Sequence, residues 1–588
     1  TTAKEEIMLN VPEVAKGHQI FLLRGTNVSP DNRYLAYGVD TNGSRRADLY
    51  IKDLTTGKVL NDRISNTSGN YAWGSDSKTV FYVLNDHTVR AYRVMRHTIG
   101  TDPKQDEEVF VEKDSTFRVY IHTSKSKKFI FIHSGNGLTS EALFIDPRIP
   151  EAQPLVIQER QTGVLYFPEH FEGNIFHIVT NKNAVNFRVV TTPTFQTSSN
   201  SWTDLIPHNP DALLENIQVL KNYLVVETKE KGLTQIKVFD RNKKKWKNVP
   251  FSHDVYVANL SVATDKYESD SIRYYFSSLA MPGTDYAYNL ATGETTLLKR
   301  QKAGSFNPDL YDTKRIWVKA TDGTSVPVSI VYRKDQLKKD GSNPMYLYAY
   351  GSYGANSDPY FNSSIVSLLD RGFIYGIAHV RGGQEMGRAW YENARVLTKK
   401  NTFTDFIDVA QFLVNEKYTS SDRLFANGGS AGGMLMGVVT NMRPDLFRGI
   451  IAEVPWMDVV TDMLNPDLPL TTLEYPEWGD PNKKDEYEYM LSWSPMDNVK
   501  PAKYPAILAT GGLHDTQVPY FSPAKWVARI RENNLGNNPV LFKVNLGAGH
   551  GGESGRFERQ KLTALKFAFV LDQLGWDEET RQFSFKTF

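Results

Sequence analysis

Two patterns of hydrophobic and polar residues divide the chain near residue 305. Before that point, short apolar or alternating stretches such as "RYLAYGVDT", "TVFYVLND" and "FIFIHSG" recur between turn sequences such as "SPDN" and "TTGK". Stretches of roughly 4 to 8 such residues between turn signals predict β-strands. The predicted strands group into six units, near residues 20–60, 70–97, 117–146, 165–192, 212–240 and 255–298.

The regular spacing of these units favours a β-propeller over a pair of β-sandwiches. A spacing of roughly 40 to 50 residues suits blades of four strands each. No WD or kelch signature accompanies the pattern, so the prediction depends on spacing alone. The sequence therefore predicts an all-β propeller domain over residues 1–305.

The second half, residues 306–588, alternates long strand and helix signals. Continuous apolar runs such as "MYLYAYGSYG", "FRGIIAEVP" and "AILATGGLHD" are typical of parallel strands covered on both faces. Segments such as "TFTDFIDVAQFLVNEKY" have the spacing of amphipathic helices. This pattern predicts one open α/β domain, joined to the first half by a linker near 299–312.

Composition narrows the class of protein. The chain has 588 residues, which is more than a single hydrophobic core normally contains, so we expect two or more domains. Its net charge of +1 gives no reason to expect nucleic acid or an anionic membrane as a partner. It has no cysteine, which excludes disulfides and Cys-ligated metal. We expect a cytoplasmic protein, with a periplasmic or secreted one still open. Because the chain opens at Thr1 without Met, we also expect a separate or missing N-terminal segment.

A glycine-rich stretch, "FANGGSAGGMLMGVV", carries the main candidate chemistry. Residues 428–432 match G-x-S-x-G between a strand and a helix, the context of a nucleophile elbow around Ser430. The turn also places the Ala431 N–H at a helix N-terminus, where an oxyanion can bind. A phosphate-binding Walker loop would need Gly-Lys-Ser/Thr, which is absent here.

A serine nucleophile needs a base and an orienting carboxylate, which in this fold follow it in the order acid, then histidine. Asp515 comes directly after a predicted buried strand, and His550 lies in a glycine-rich loop before the last helix. His514 precedes the acid and leaves no base downstream of it, so the order selects His550.

The second half closely resembles the prolyl oligopeptidase family of serine peptidases in "GGSAGGMLMGVVTNMRPDLFRGIIAEVPWMDVV", "LPLTTLEYPEWGDP", "GLHDTQVPY" and "GHGGESGRF". The resemblance implies a seven-bladed propeller capping an α/β-hydrolase domain. We expect no cofactor and no metal, because no histidine or carboxylate cluster in the sequence has metal-ligand spacing.

Matching motifs imply roles for individual residues. Ser430 matches the nucleophile, Asp515 the orienting acid and His550 the general base. In "YAYGSYG", Tyr350 matches a tyrosine whose hydroxyl helps the Ala431 N–H stabilise the oxyanion. Without the resemblance, Tyr350 would be interpreted as a core aromatic residue at the end of a strand.

The resemblance extends to the branch of the family that cleaves short peptides after Arg or Lys. Glu474 matches the glutamate that pairs with the substrate cation, Trp456 an aromatic pocket wall, and Asp358 an acid that serves the next substrate residue. A guanidinium–carboxylate pair is directional enough for one glutamate to set this preference. Pro476 and Tyr360 replace acids that relatives often carry, so we expect weaker selectivity for paired basic residues.

Two alternatives remain at this point. One is an esterase or acylaminoacyl-type peptidase that uses the same three residues without a basic preference. The other is an inactive fragment that needs a missing N-terminal segment.

Overall fold

The computed structural model describes residues 4–261, 266–555 and 557–584. The predicted unit at 255–298 and the outer ends of both predicted domains extend beyond these ranges. A short helix, α1 (Val11–Val14), precedes the first strand.

The first half forms a β-propeller of antiparallel sheets, as the strand pattern predicted. The described residues give six blades, of which the first two share a seven-stranded sheet and the other four have four strands each. The strands are β1 (Leu22–Val28), β2 (Tyr34–Asp40), β3 (Ala47–Asp53), β4 (Val59–Trp73), β5 (Thr79–Asn85), β6 (Ala91–Thr98), β7 (Glu107–Val111), β8 (Arg118–Thr123), β9 (Ile130–Gly135), β10 (Ser140–Ile145), β11 (Leu155–Gln158), β12 (Tyr166–Glu169), β13 (Ile175–Thr180), β14 (Arg188–Pro193), β15 (Thr203–Ile206), β16 (Leu213–Val219), β17 (Tyr223–Glu230), β18 (Leu233–Asp240), β19 (Lys245–Asn248), β20 (Val257–Leu260), β21 (Ser271–Ser278), β22 (Met281–Asn289) and β23 (Thr295–Arg300).

The cores of the propeller lie between neighbouring blades. Phe81 of the second blade, for example, shares a buried cluster with Ile121 and Ile132 of the third. Alternating side chains of each strand face the two adjacent blades, which explains why the strands read as apolar or alternating in the sequence.

The second half forms an eight-stranded, mostly parallel sheet flanked by helices, which confirms the α/β-hydrolase prediction. Its strands lie in the order β24-β25-β27-β26-β28-β29-β30-β31, parallel from β27 onward. They are β24 (Tyr311–Lys319), β25 (Ser325–Arg333), β26 (Met345–Tyr348), β27 (Ile374–Ala378), β28 (Leu424–Gly429), β29 (Gly449–Glu453), β30 (Ala506–Gly512) and β31 (Val540–Asn545). Short strand pairs follow, β32 (Ala548–Gly549) with β33 (Gly552–Glu553) and β34 (Trp576–Asp577) with β35 (Gln582–Phe583).

Helices cover both faces of this sheet. Along β29, Ile450 belongs to a buried cluster with residues of α4 and α5, whereas Ile451 belongs to another with residues of α10. The helices are α2 (Val366–Leu369), α3 (Arg388–Glu392), α4 (Lys400–Asn415), α5 (Ala431–Met442), α6 (Val459–Met463), α7 (Thr471–Trp478), α8 (Lys484–Leu491), α9 (Phe521–Asn533) and α10 (Glu558–Gln573). In the described part of the chain, none of the helices combines the length and apolarity needed to cross a membrane.

The sheet brings the candidate residues to one edge. Ser430 follows β28 directly, Asp515 follows β30, and Tyr350 follows β26. Because these strands are parallel, their carboxyl ends meet at the same edge, where open α/β sheets bind ligands.

Candidate active site

Ser430 lies on a sharp turn between β28 and α5. Its backbone has φ 57° and ψ −119°, a region that a residue with a side chain rarely adopts. The Ser430 N–H donates to the Glu453 carbonyl at 2.8 Å, which fixes the turn against β29. A Cβ at Gly428 would lie 2.2 Å from the Gly432 carbonyl oxygen, and one at Gly432 would lie 2.8 Å from the Ala349 carbonyl oxygen. The glycines around Ser430 are therefore required by close backbone approach.

Asp515 and His550 form a hydrogen-bonded pair at the same edge. His550 Nδ1 lies 2.6 Å from Asp515 Oδ2. The other carboxylate oxygen, Oδ1, accepts hydrogen bonds from the backbone N–H groups of Gln517 at 2.8 Å and Val518 at 2.9 Å. The Asp515 carboxylate is buried, the His550 ring is partly exposed, and the side chain of His514 is exposed. The carboxylate thus binds His550 at Nδ1 and leaves Nε2 for other partners.

The loop that carries Asp515 is held from two sides. On one side, the His514 N–H donates to the Ala548 carbonyl at 3.0 Å, which ties this loop to the one that carries His550. On the other, Arg45 of the propeller donates from Nε to Thr516 Oγ1 at 3.1 Å. The position of Asp515 therefore depends on both domains.

Ser430 opens into a cavity between the two domains. Its volume is about 360 Å3. Side chains from both domains line it, including Ser430, Tyr350, Trp456 and Glu474 of the α/β domain and Arg45 and Arg118 of the propeller. Within the described ranges, no group of three or more His, Asp or Glu side chains is arranged to hold a metal ion.

Two candidate oxyanion donors also line this cavity. Ala431 is the first residue of α5, so its N–H is one of the free donors at a helix N-terminus. Burial raises the pKa of the Tyr350 hydroxyl, while a hydrogen-bonding interaction with the Ser430 side chain acts in the opposite direction. Tyr350 therefore stays protonated near neutral pH and can donate a hydrogen bond.

Glu474 supplies a carboxylate to the cavity from α7. Its Oε2 accepts hydrogen bonds from the Tyr353 hydroxyl at 2.7 Å and from Trp478 Nε1 at 2.8 Å. Burial raises the pKa of Glu474 to about 7, and the charge of Glu477 adds to this effect. The two hydrogen bonds and the positive charge of Arg118 act against it. A positive charge placed beside Glu474 would therefore lower its pKa and favour the ionised form.

Trp456 forms an aromatic wall of the cavity. Its ring centroid lies 5.0 Å from that of Trp478, with the planes inclined at 56°. Its Nε1 donates to Asp462 Oδ2 at 3.0 Å, which fixes the rotation of the indole. Pro476 also lines the cavity and offers no charge.

Asp358 and Tyr360 lie at a different part of the domain interface. Asp358 Oδ1 is 2.5 Å from Nζ of Lys229, a buried lysine of the propeller. The Tyr360 hydroxyl accepts a hydrogen bond from Asn259 Nδ2 at 2.9 Å. Neither residue is among the described residues that line the cavity of Ser430. The substrate-reading role expected of Asp358 stays a prediction, and its carboxylate is already paired.

The sequence interpretation missed a buried lysine behind the cavity. Lys399 Nζ donates to the Gly351 carbonyl at 2.5 Å and to Ser352 Oγ at 3.0 Å, and it lies 5.0 Å from the centroid of the Trp478 ring. Burial lowers the pKa of Lys399 to about 8, and the nearby charge of Glu477 partly offsets this. Nothing in the sequence around "LTKKN" distinguishes this lysine from a surface one.

Glu477 is the second residue that the sequence interpretation missed. Its Oε1 accepts a hydrogen bond from the Tyr353 N–H at 2.8 Å, and its Oε2 accepts one from the Tyr391 hydroxyl at 2.5 Å. Lys399 and Glu477 thus clamp residues 350–353, the loop that carries both a candidate oxyanion donor and a hydrogen-bond partner of the pocket acid. Glu474 lies three residues earlier on α7 and therefore on the same side of the helix. This spacing could have indicated from the sequence that Glu477 lies near the pocket.

Comparisons with known proteins agree with this architecture. Residues 1–301 match the family described as "Prolyl oligopeptidase, N-terminal beta-propeller domain", and residues 359–577 match "Prolyl oligopeptidase family". A dipeptidyl aminopeptidase BI from Pseudoxanthomonas mexicana is 43% identical over 97% of this chain and 79% of its own length. A protease 2 from Moraxella lacunata is 39% identical over 98% of this chain and 83% of its own length.

A solved structure shows the same fold. Oligopeptidase B from Leishmania major superposes with a TM-score of 0.94 at 36% sequence identity, covering 99% of this chain and 83% of that one. With matches to both domains and relatives above one third identity along nearly its whole length, the chain belongs to the prolyl oligopeptidase family of serine peptidases.

Proposed function

We propose that this peptidase hydrolyses short peptides on the carboxyl side of Arg or Lys through an acyl-enzyme. The observation that supports this most is the cavity that both Ser430 and the Glu474 carboxylate line, with the hydrogen-bonded Asp515–His550 pair at the same edge of the sheet.

In the proposed acylation step, Ser430 Oγ attacks the carbonyl carbon of the scissile bond while His550 Nε2 takes its proton. Asp515 accepts the Nδ1 hydrogen of His550, which fixes the tautomer with a free Nε2 and stabilises the imidazolium that forms. His550 then returns the proton to the leaving amine, and the C–N bond breaks. Water, deprotonated by the same histidine, hydrolyses the ester in the second half of the reaction.

The tetrahedral intermediate carries a negative charge on the former carbonyl oxygen. We assign its stabilisation to the Ala431 N–H and the Tyr350 hydroxyl, both of which line the cavity beside Ser430. Fixed donors of this kind stabilise the transition state because they need no reorganisation as charge develops.

The preference for Arg or Lys is assigned to Glu474. Little water solvates this carboxylate, so a substrate guanidinium would stabilise its ionised form. An opposite charge lowers the pKa of a carboxyl group. Trp456 offers an aromatic face beside the carboxylate for the flat guanidinium. The relatives named protease 2 and oligopeptidase B support the hydrolysis of peptides.

A second candidate activity is the release of dipeptides from free N-termini. It is favoured by the relative named dipeptidyl aminopeptidase BI, at 43% identity. Both activities can use the same serine and pocket. Peptides with a free or an acetylated N-terminus distinguish them, because only the release of dipeptides requires a free N-terminus. An internal arginyl bond that is cleaved equally fast in both forms would exclude a strict requirement for a free amine.

The main proposal is tested with peptides that differ only in the residue before the scissile bond: Arg, Lys or citrulline, the neutral analogue of Arg. We expect kcat/KM to favour Arg and Lys over citrulline by roughly 30-fold or more, and Ser430→Ala to abolish all cleavage. A serine-directed phosphonate should label Ser430. Equal turnover of Arg and citrulline peptides would overturn the basic preference and favour the alternative hydrolase. No turnover of any substrate would favour the inactive alternative.

A further inference from the structure

An arginine of the propeller lines the cavity of Ser430 and forms no hydrogen bond or ion pair with any residue that the structure describes. Arg118 is the first residue of β8 and pairs in register with Gly135 of β9. Its side chain is exposed, and it lines both the cavity of Ser430 and an adjoining cavity of about 450 Å3, which propeller residues line together with Gln384 and Arg388 of the α/β domain. Among the residues that the structure describes, none accepts a hydrogen bond from its guanidinium or forms an ion pair with it.

The neighbouring arginines differ from Arg118 in this respect. Arg45 donates to Thr516 Oγ1, and Arg388, in the adjoining cavity, donates to the Gly137 carbonyl at 3.1 Å and lies 3.1 Å from Glu392. Arg118 is therefore the cation at the junction of the two cavities whose donors are free for a ligand.

The charges at this junction are mixed. Burial lowers the pKa of Arg45 to about 10, and the charge of Asp515 acts against this. Repulsion from Arg24 and Arg118 adds to the lowering, and Glu474 opposes it. Two guanidinium groups that share a partly dry space attract an anionic group placed between them, since Coulomb interactions strengthen as water is excluded.

The position of Arg45 indicates which part of a substrate this anion belongs to. Arg45 contacts Thr516, the residue after Asp515, and Asp515 holds His550. In the reaction proposed above, His550 protonates the leaving amine, so the leaving segment lies on the side of Ser430 that faces His550, where Arg45 contacts the loop of Asp515. Arg118 lines the same cavity as Arg45, and its charge affects the pKa of both Arg45 and Glu474.

We propose that Arg118, assisted by Arg45, binds a carboxylate of the leaving segment of the peptide. The group is the C-terminal carboxylate when the scissile bond lies within a few residues of the chain end, or an acidic side chain in the same place. Guanidinium groups suit this ligand because their paired N–H donors match the two carboxylate oxygens. The inference goes beyond the choice of Arg or Lys, and it depends on the proposed cleavage at Ser430.

The test compares kcat/KM for matched peptides that carry one, two, three or six residues after the cleaved arginine. Each peptide is made as a free acid and as a C-terminal amide. In a second set, every peptide is a C-terminal amide and carries either Asn or Asp in the leaving segment. This set distinguishes an acidic side chain from the C-terminal carboxylate as the bound group. For the wild-type protein we expect the free acid to exceed the amide by roughly 5- to 30-fold at one preferred length, with the ratio falling at high salt.

Arg118→Gln removes the charge and should bring the acid-to-amide ratio to within about 2-fold of unity, whereas Arg118→Lys should retain part of it. The matched control is Arg148→Gln, an exposed propeller arginine whose ion pair with Asp146 lies on the surface. It should keep the wild-type ratio. A wild-type ratio near unity in both peptide sets, or a ratio that survives Arg118→Gln, would overturn the proposal.

Failure of this proposal is distinguishable from failure of the proposed function. The acid-to-amide ratio is measured with whichever residue the enzyme accepts before the scissile bond. A loss of basic preference therefore leaves the Arg118 test intact. Conversely, normal arginyl cleavage with no carboxylate preference would overturn Arg118 alone.

Discussion

At the scale of single residues, Glu474 combines burial with two hydrogen-bond donors and no basic partner within ion-pairing distance among the described residues. Burial raises its pKa to about 7, so in the empty pocket it is largely neutral below that pH and ionised above it. A cationic substrate gains a charge-assisted hydrogen bond only with the ionised form. The specificity of the pocket should therefore depend on pH.

We expect the ratio of kcat/KM for arginyl over citrulline peptides to rise as pH increases through about 7 and to level off above about 8. Taking the ratio removes any pH dependence that the catalytic steps of both substrates share. The measurement is a pair of pH–rate profiles between pH 5.5 and 9. A ratio that does not change across this range would show that Glu474 is ionised throughout or does not read the substrate.

Glu474→Gln tests the same residue by substitution. The amide oxygen can still accept hydrogen bonds from Tyr353 and Trp478, so the shape of the pocket is kept while the charge is lost. Losing the partner of a desolvated cation should cost roughly 2–4 kcal/mol, or about 30- to 1000-fold in kcat/KM for arginyl peptides. Citrulline peptides should lose little. The exposed Glu488→Gln on α8 is the control, and an unchanged arginyl ratio in Glu474→Gln would mean that another acid reads the substrate.

The order of residues along the chain was enough to select candidates from the sequence, whereas contacts between distant residues could not be predicted from it. The acid-then-histidine order identified Asp515 and His550 as candidates, and the structure brings them together. Asp358 illustrates the limit. Its partner Lys229 is 129 positions away, so no local pattern could show that its carboxylate is already paired.

At the scale of elements, the loop of residues 350–353 depends on α7 and on the start of α4. Lys399, directly before α4, holds the Gly351 carbonyl, and Glu477 of α7 holds the Tyr353 N–H. The loop carries Tyr350, whose hydroxyl is a candidate oxyanion donor. Such a donor acts in the transition state of every substrate, so the clamp should affect turnover in general.

We expect Lys399→Met to lower kcat by roughly 10- to 100-fold for arginyl and citrulline peptides alike, with little change in their ratio, because loss of a whole oxyanion donor costs about 100- to 1000-fold. Thermal stability need not fall, because replacing a buried ammonium by an apolar group of similar size is often neutral. Lys400→Met, next in the chain, is the control. A change confined to KM, or to arginyl substrates, would contradict the positioning role.

Element prediction succeeded where burial made the pattern strong and failed where a strand was polar. The parallel strands of the α/β sheet are buried on both faces and could be located as apolar runs. By contrast, "NDRISNTSGN" separates two predicted units, yet the structure has one continuous strand there, β4 (Val59–Trp73). Val59 pairs with Lys52 of the first blade and Trp73 with Val80 of the second. The middle of β4 has polar side chains because it passes from one blade to the next.

At the scale of the whole molecule, the six units counted in the sequence correspond to the six blades of the described chain. What the sequence could not show is how closely the propeller covers the α/β domain. Asn186 of the propeller accepts a hydrogen bond from the Arg388 N–H at 2.8 Å, and Ser115 accepts one from Thr472 Oγ1 at 2.9 Å. Contacts between residues 202 and 357 positions apart have no local signature.

The last prediction follows from this cover. Because both domains line the cavity of Ser430, a substrate must pass between them as an extended chain, and a folded domain is too wide to reach the serine. We expect an arginyl site to be cleaved rapidly in a free peptide and not measurably in a loop of a stable folded protein. The control carries the same sequence as a flexible tail on that protein. Slow cleavage of the tail would show that the total size of the substrate limits the rate. Rapid cleavage of the tail would show that the site must be locally unfolded to be cleaved. Cleavage of the loop at the rate of the free peptide would contradict the cover, since it would require the two domains to separate far enough to admit a folded surface.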